Sequence, residues 1–355
     1  MCSALRMGLL RLLLSFAVVI AHTHPIPGVT VIGGSKSVMF FFVMSGFYMH
    51  LVLDRQYRDH CRVFYLNRFL RLFPAYWATL LIIMLIGLSG SPLIDGGFSF
   101  NVAARNFGNS AIGLLAAIPN LFIFGADFLR QLAVDHKGNL AVWRNTNPES
   151  IFKNGLYIYL WVPQIWSVSN ELLFYIAAPL VARLRLVFLG GVLGGVWWMH
   201  SCASAGDLAW RHLLPNYNFI YFMLGMASYR ALPIFARCPK SGLIVLACVP
   251  FAYFALDGLS SHAPWTWLPL AVCIPPLFLL TKNWSVDRFV GNLSYPVYLT
   301  HFIFTSRATP PEFQAAIVMG MAVVSGLLIH LLVERPIDTW RNRLKQKSAP
   351  SAPAA

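Results

Sequence analysis

Residues 314–333 read QAAIVMGMAVVSGLLIHLLV, a run with no Asp, Glu, Lys or Arg. A helix needs about 20 consecutive apolar residues to cross the hydrocarbon core of a bilayer, so this stretch has the length and composition of a span. Comparable runs recur along the chain. The 355 residues are 57% hydrophobic and 11% charged, whereas soluble domains carry about 25% charged residues. Such a chain cannot cover a water-facing surface, which excludes a soluble enzyme or binding module. The expected fold is an all-α integral membrane protein with one membrane-embedded domain over residues 1–343. A low-complexity tail, 344–355, is expected to be disordered on the cytoplasmic side.

The formal charge of +14 is spread as short basic clusters between apolar runs. That pattern is a topology signal rather than a nucleic-acid-binding stripe. Cys2, Cys61, Cys202, Cys238, Cys248 and Cys273 form no CxxC pair and show no metal-ligand spacing, so no metal site is expected. The first apolar run is interrupted by Arg11 and ends in Ala21-His22-Thr23-His24-Pro25 without a small-residue cleavage pattern, which reads as a retained span.

Candidate spans fall at 7–23, 37–53, 73–89, 166–182, 184–200, 213–229, 241–257, 265–281, 290–306 and 314–333. With these ten helices and a cytoplasmic N-terminus, most of the 27 lysines and arginines fall inside, as the positive-inside rule requires. An eleventh run, 111–129, is interrupted by Pro119-Asn120, and counting it as a span would leave the two sides nearly even. It is therefore read as a re-entrant or lid-like segment of one external loop, 90–165, because irregular backbone at membrane depth is tolerated only against protein or a watery cavity. Both termini are then cytoplasmic, in a multi-pass protein.

Ionisable groups inside spans cost about 2.5–3.5 kcal/mol each on insertion scales, so each asks for a reason. Arg11 and His22 lie on one face of the first span, about 16 Å apart along a helix. Glu171 lies in Trp166-Ser167-Val168-Ser169-Asn170-Glu171 and His301 in Ser294-Tyr295-Pro296-Val297-Tyr298-Leu299-Thr300-His301. His22, Glu171 and His301 share the outer third of the bilayer in the ten-span arrangement. A carboxylate beside a histidine is a general-base pairing, because the carboxylate fixes the tautomer and stabilises the imidazolium. At the inner side, Arg68 and Arg71 stand three residues apart at the mouth of the third span, and guanidinium forks suit phosphate oxygens.

Together these segments resemble the acyltransferase 3 family of bacterial membrane proteins. The resemblance rests on Arg11 with His22, then Phe41-Phe42-Val43-Met44-Ser45-Gly46-Phe47, then Arg68-x-x-Arg71-Leu72-Phe73-Pro74. Trp166-Ser167 through Glu171 to Phe174-Tyr175 follows, with Ser294-Tyr295-Pro296 to His301 and Glu334-Arg335-Pro336 after it. The family often has an arginine where this chain has Asn67, and a small apolar residue where it has Asn170. Membership implies O-acylation, most often acetylation, of an envelope or exported carbohydrate at the bacterial inner membrane. Acetyl-CoA is the implied cytoplasmic donor, and no tightly bound cofactor is implied. In that frame Arg68 and Arg71 hold donor phosphates with Arg11 further along the pore. His22, oriented by Glu171, takes the acceptor proton or carries the acyl group transiently, and His301 binds sugar or orients the acyl carbonyl. A transporter or flippase for a lipid-linked saccharide is the rival reading, since intramembrane His and Glu also serve carriers. No inverted repeat supports it.

Overall fold

The computed structural model describes residues 7–24, 32–58, 60–89, 110–130, 132–134, 140–142, 155–184, 190–191, 194, 218–257, 267–305 and 311–348. Its helices are α1 (Gly8–Ala21), α2 (Gly34–Arg55), α3 (Cys61–Ser89), α4 (Ser110–Phe122), α5 (Ala126–Leu129) and α6 (Trp166–Arg183). They continue as α7 (Phe219–Tyr229), α8 (Leu232–Arg237), α9 (Pro239–Asp257), α10 (Trp267–Thr281), α11 (Ser285–Thr300), α12 (Pro311–Ile329) and α13 (Arg335–Ser348). A 3₁₀ turn, His301–Phe304, extends α11, and a π turn, His330–Glu334, joins α12 to α13.

Five described segments are long and apolar enough to cross a membrane: Gly34–Arg55, Cys61–Ile86, Pro163–Arg183, Phe219–Arg237 and Glu312–Arg341. Gly8–Ala21, Pro239–Pro250 and Trp267–Thr281 are shorter apolar helices. Of the ten expected spans, 184–200 falls largely outside the described residues, and every other one overlaps a described helix. The all-α expectation needs one amendment. Between α5 and α6, β1 (Leu132–Val134) pairs antiparallel with β2 (Leu140–Val142) in a small ribbon. Of the expected tail, residues 344–348 belong to α13, which runs to Ser348, and 349–355 lie outside the described residues.

A close crossing of α2 and α7 organises the bundle. A Cβ added at Gly46 on α2 would lie 1.9 Å from the Phe222 carbonyl oxygen, and one at Gly225 on α7 would lie 1.8 Å from that of Val43. The reciprocal glycines let the two backbones touch, the usual device where lipid offers no hydrophobic drive for association. Phe222 then stacks between Phe42 (4.6 Å) and Phe174 (4.4 Å), tying α2, α7 and α6 together. Large apolar side chains also point outward, among them Leu180 at 70% and Leu332 at 72% exposure. That is expected of a surface solvated by acyl chains.

The lid-like segment is fastened, and its break is displaced from where the sequence put it. Pro119 and Asn120 lie inside α4. The chain turns after Phe122, at Ile123 (φ 66°) and Gly125 (φ 86°). Asn120 donates to the Ala116 and Tyr159 carbonyls at 2.9 Å each, and accepts from the Trp161 N–H at 2.8 Å. The last carbonyls of α4, which lack intrahelical partners, take hydrogen bonds from α3: Tyr76 Oη to Asn120 O (2.7 Å) and Trp77 Nε1 to Leu121 O (2.9 Å).

Candidate active site

A cavity opens among α1, α2, α3, α6 and α11. Arg11, Arg68, Arg71 and Glu171, each expected from the sequence, all line it. Arg68 and Arg71 share a face of α3 because residues three apart are neighbours on a helix. Arg68 is buried between two rings, with its guanidinium carbon 5.6 Å from the Phe64 centroid and 5.7 Å from that of Tyr175. Arg11 lies 6.0 Å from the Phe41 centroid. The Nε atoms of Arg11 and Arg68 are buried without a hydrogen-bond partner. Among the described residues, no ion pair joins any of these arginines to Glu171.

The Glu171 carboxylate is occupied otherwise. Its Oε1 accepts from Ser45 Oγ and from Tyr175 Oη, both at 2.5 Å. Tyr175 is the i+4 neighbour on the same helix face, a partner that spacing alone could have suggested. Ser45 precedes Gly46, so one turn of α2 serves both the α7 crossing and the cavity wall.

The second cluster lies at the far end of α1. His22, the C-cap residue of α1, meets His301 at the end of α11, with His301 Nε2 3.3 Å from His22 Nδ1. His301 is fully buried. Its Nδ1 contacts the Tyr298 carbonyl at 2.7 Å, and His22 Nδ1 contacts the Val18 carbonyl at 2.9 Å. A carbonyl only accepts, so each Nδ1 carries the proton. His301 Nε2 is then a bare acceptor that takes the longer share of the His22 Nδ1–H, whose shorter contact is to the Val18 carbonyl, and His22 Nε2 is left with its lone pair.

The expected pairing of His22 with Glu171 is therefore not made; His301 stands where Glu171 was expected. The two clusters are separated by a wall built on Tyr298. Its ring lines the cavity, and its hydroxyl meets Ser167 Oγ at 2.7 Å. Its carbonyl accepts from Gln164 Nε2 at 3.2 Å as well as from His301. Sequence reading missed Tyr298 and Gln164, whose contact spans 134 residues of chain. It also missed Arg130, whose guanidinium lies 4.4 Å from the Trp166 centroid at the entry to α6.

Chemically, the cavity offers several guanidiniums against one carboxylate, which suits an anion, and the histidine pair offers a base with an oriented tautomer. The acyltransferase 3 family model, an acyltransferase domain, matches residues 5–333. The match covers nearly the whole chain, and the chain belongs to this family: it is a multi-pass membrane acyltransferase. No curated protein and no solved structure matches it.

Proposed function

We propose that this protein transfers acetyl from acetyl-CoA, bound from the cytoplasm, to a hydroxyl of an envelope or exported carbohydrate, with both termini in the cytoplasm of a bacterial cell and the chain in its inner membrane. The observation that carries this reading is the arginine-rich cavity, with two buried unpartnered guanidinium nitrogens, set one wall away from a histidine pair with fixed tautomers. Arg68 and Arg71 hold donor phosphates through charge-assisted hydrogen bonds, and Arg11 adds positive charge deeper in the cavity. At the other end His22 Nε2 takes the proton of the acceptor hydroxyl as its oxygen attacks the thioester carbonyl. The carbon–sulfur bond breaks, and the proton passes on to the departing thiolate. The imidazolium formed on the way shares its Nδ1–H between the Val18 carbonyl at 2.9 Å and His301 Nε2 at 3.3 Å. General-base help of this kind is worth about 10²- to 10⁴-fold.

The test is incorporation of labelled acetyl from acetyl-CoA into envelope carbohydrate by membranes containing the protein, with mass spectrometry of the product. Gain of one acetyl unit per modified sugar is the expected result. Label in lipid or protein, with carbohydrate unmodified, would overturn the acceptor assignment. Label from a longer acyl-CoA alone would overturn the acetyl assignment.

A further inference from the structure

A second cavity lies between α2, α3 and α6, three of the five helices that wall the first. On α2 it begins at His50, directly after Met49 of the first cavity; on α6 it spans Pro179 to Arg183, one turn beyond Tyr175. Along the helix axes it is displaced by about 13–17 Å, toward the ends bearing Arg55 and Cys61. In the proposed orientation that is the cytoplasmic side. The functional reading above makes no use of this cavity.

Its lining has two parts. Inside, His50 is buried, and its Nδ1 meets the Met226 carbonyl at 2.9 Å, so Nδ1 carries the proton and Nε2 is an acceptor. Asp54, itself exposed, adds a carboxylate nearer the rim, of which Oδ2 accepts from Tyr229 Oη at 2.8 Å. The Tyr229 ring lies 4.7 Å from that of His50. These are acceptors beside aromatic surface, a setting for a flat base with an exocyclic amine. At the rim, exposed Arg58 and Arg183 are tied together by a hydrogen bond from Arg183 Nη2 to the Arg58 carbonyl (3.1 Å). That bond leaves most of both guanidinium forks free for an anion.

We propose that this cavity is a nucleotide subsite, with adenine against His50 and Asp54 and a 3′-phosphate on Arg58 and Arg183. A donor with a nucleotide at one end and a thioester at the other fits two cavities in series, and this inference rests on the acyl-CoA reading above. The pyrophosphate then lies between the two, near Arg68 and Arg71.

The test compares CoA with dephospho-CoA, which lacks only the 3′-phosphate, by calorimetry on the full chain in phosphatidylcholine nanodiscs. CoA is expected to bind about tenfold or more tighter, the worth of one charge-assisted contact. Arg58→Ala and Arg183→Ala should bring that ratio toward one without changing dephospho-CoA affinity, and Arg183→Lys should keep part of it. Adenosine 3′,5′-bisphosphate should also slow alkylation of Cys61, which lines the cavity, followed by peptide mass spectrometry. Equal binding of CoA and dephospho-CoA, or a preference unchanged in both alanine variants, would overturn the subsite while leaving the donor reading intact. A preference that disappears only in phosphatidylglycerol discs would assign the rim to lipid phosphate and overturn it likewise. Failure of both CoA forms to bind would overturn the donor reading and this subsite with it.

Discussion

The histidine pair makes a prediction that separates it from the carboxylate the sequence favoured. Removing His22 removes the base, a loss of about 10²- to 10⁴-fold. Removing His301 removes the longer branch of a hydrogen bond that His22 Nδ1–H also makes to the Val18 carbonyl, a loss of at most the about 1.5–3 kcal/mol of a full bond to a charged group, or roughly 10- to 150-fold at 1.4 kcal/mol per decade. That branch exists only when both rings are present, 3.3 Å apart. The double variant His22→Ala/His301→Ala should therefore be little worse than His22→Ala, with a coupling energy near the full value for His301. Glu171 touches Ser45 and Tyr175 instead, so Glu171→Gln should multiply with His22→Ala, because distant sites that share no partner add in free energy. The assay is labelled-acetyl transfer at matched membrane abundance, since a truncated buried ring also affects folding. His301→Gln, which keeps an acceptor, should recover part of the loss. Multiplicative losses for the two histidines, or coupling between His22 and Glu171, would refute the relay. High activity in a well-expressed His22→Ala protein would refute the base itself.

Arg68→Ala and Arg71→Ala should raise the acetyl-CoA concentration needed for half-maximal transfer by about tenfold or more, with lysine rescuing only part because it offers no planar fork; unchanged donor saturation would reduce both to topology signals. Cysteine placed at Arg130 or Lys153 should react with an impermeant reagent from outside intact cells, and reaction only after permeabilisation would overturn the proposed orientation. Gly225→Leu should cost the bundle its α2–α7 crossing, because even a Cβ there meets the Val43 oxygen at 1.8 Å; normal thermal stability of that variant in detergent would show that the crossing is dispensable.

What was legible in the sequence was depth, and what was not was direction. Hydropathy places Arg11, Glu171 and His22 along their helix axes, because crossing the hydrocarbon is a one-dimensional constraint. Which way a side chain points around its axis depends on partners far away in the chain. His22 and His301 are 279 residues apart, and Ser45 and Glu171 are 126 apart. Shared depth thus suggested His22 with Glu171, and rotation about α6 turned the carboxylate into the cavity instead. The loop misreading has a local cause. Pro119 signals a break, yet a proline can kink a helix without ending it. Here α4 runs on to Phe122, with Asn120 bonded back to the Ala116 carbonyl. The turn that does occur uses Ile123 at positive φ, a conformation β-branched residues rarely adopt, so no sequence signal announced it.

Asn67 shows how one such departure is accommodated. Where relatives often carry an arginine, this buried asparagine donates to the Val63 carbonyl at 2.8 Å and turns its oxygen to Arg341 Nε at 3.4 Å. Arg341 comes from α13 and is held in an ion pair with Asp338. A guanidinium is thus present beside Arg68 although position 67 does not supply it. The delivery depends on the π turn at His330–Glu334, which adds a residue to one helical turn and so rotates everything after it. That turn is itself clamped by the His330–Glu334 pair at 2.8 Å. The positive wall near Arg68 and Arg71 is consequently built from two ends of the chain. Its integrity is coupled to α13, a segment that composition alone marked in part as a tail.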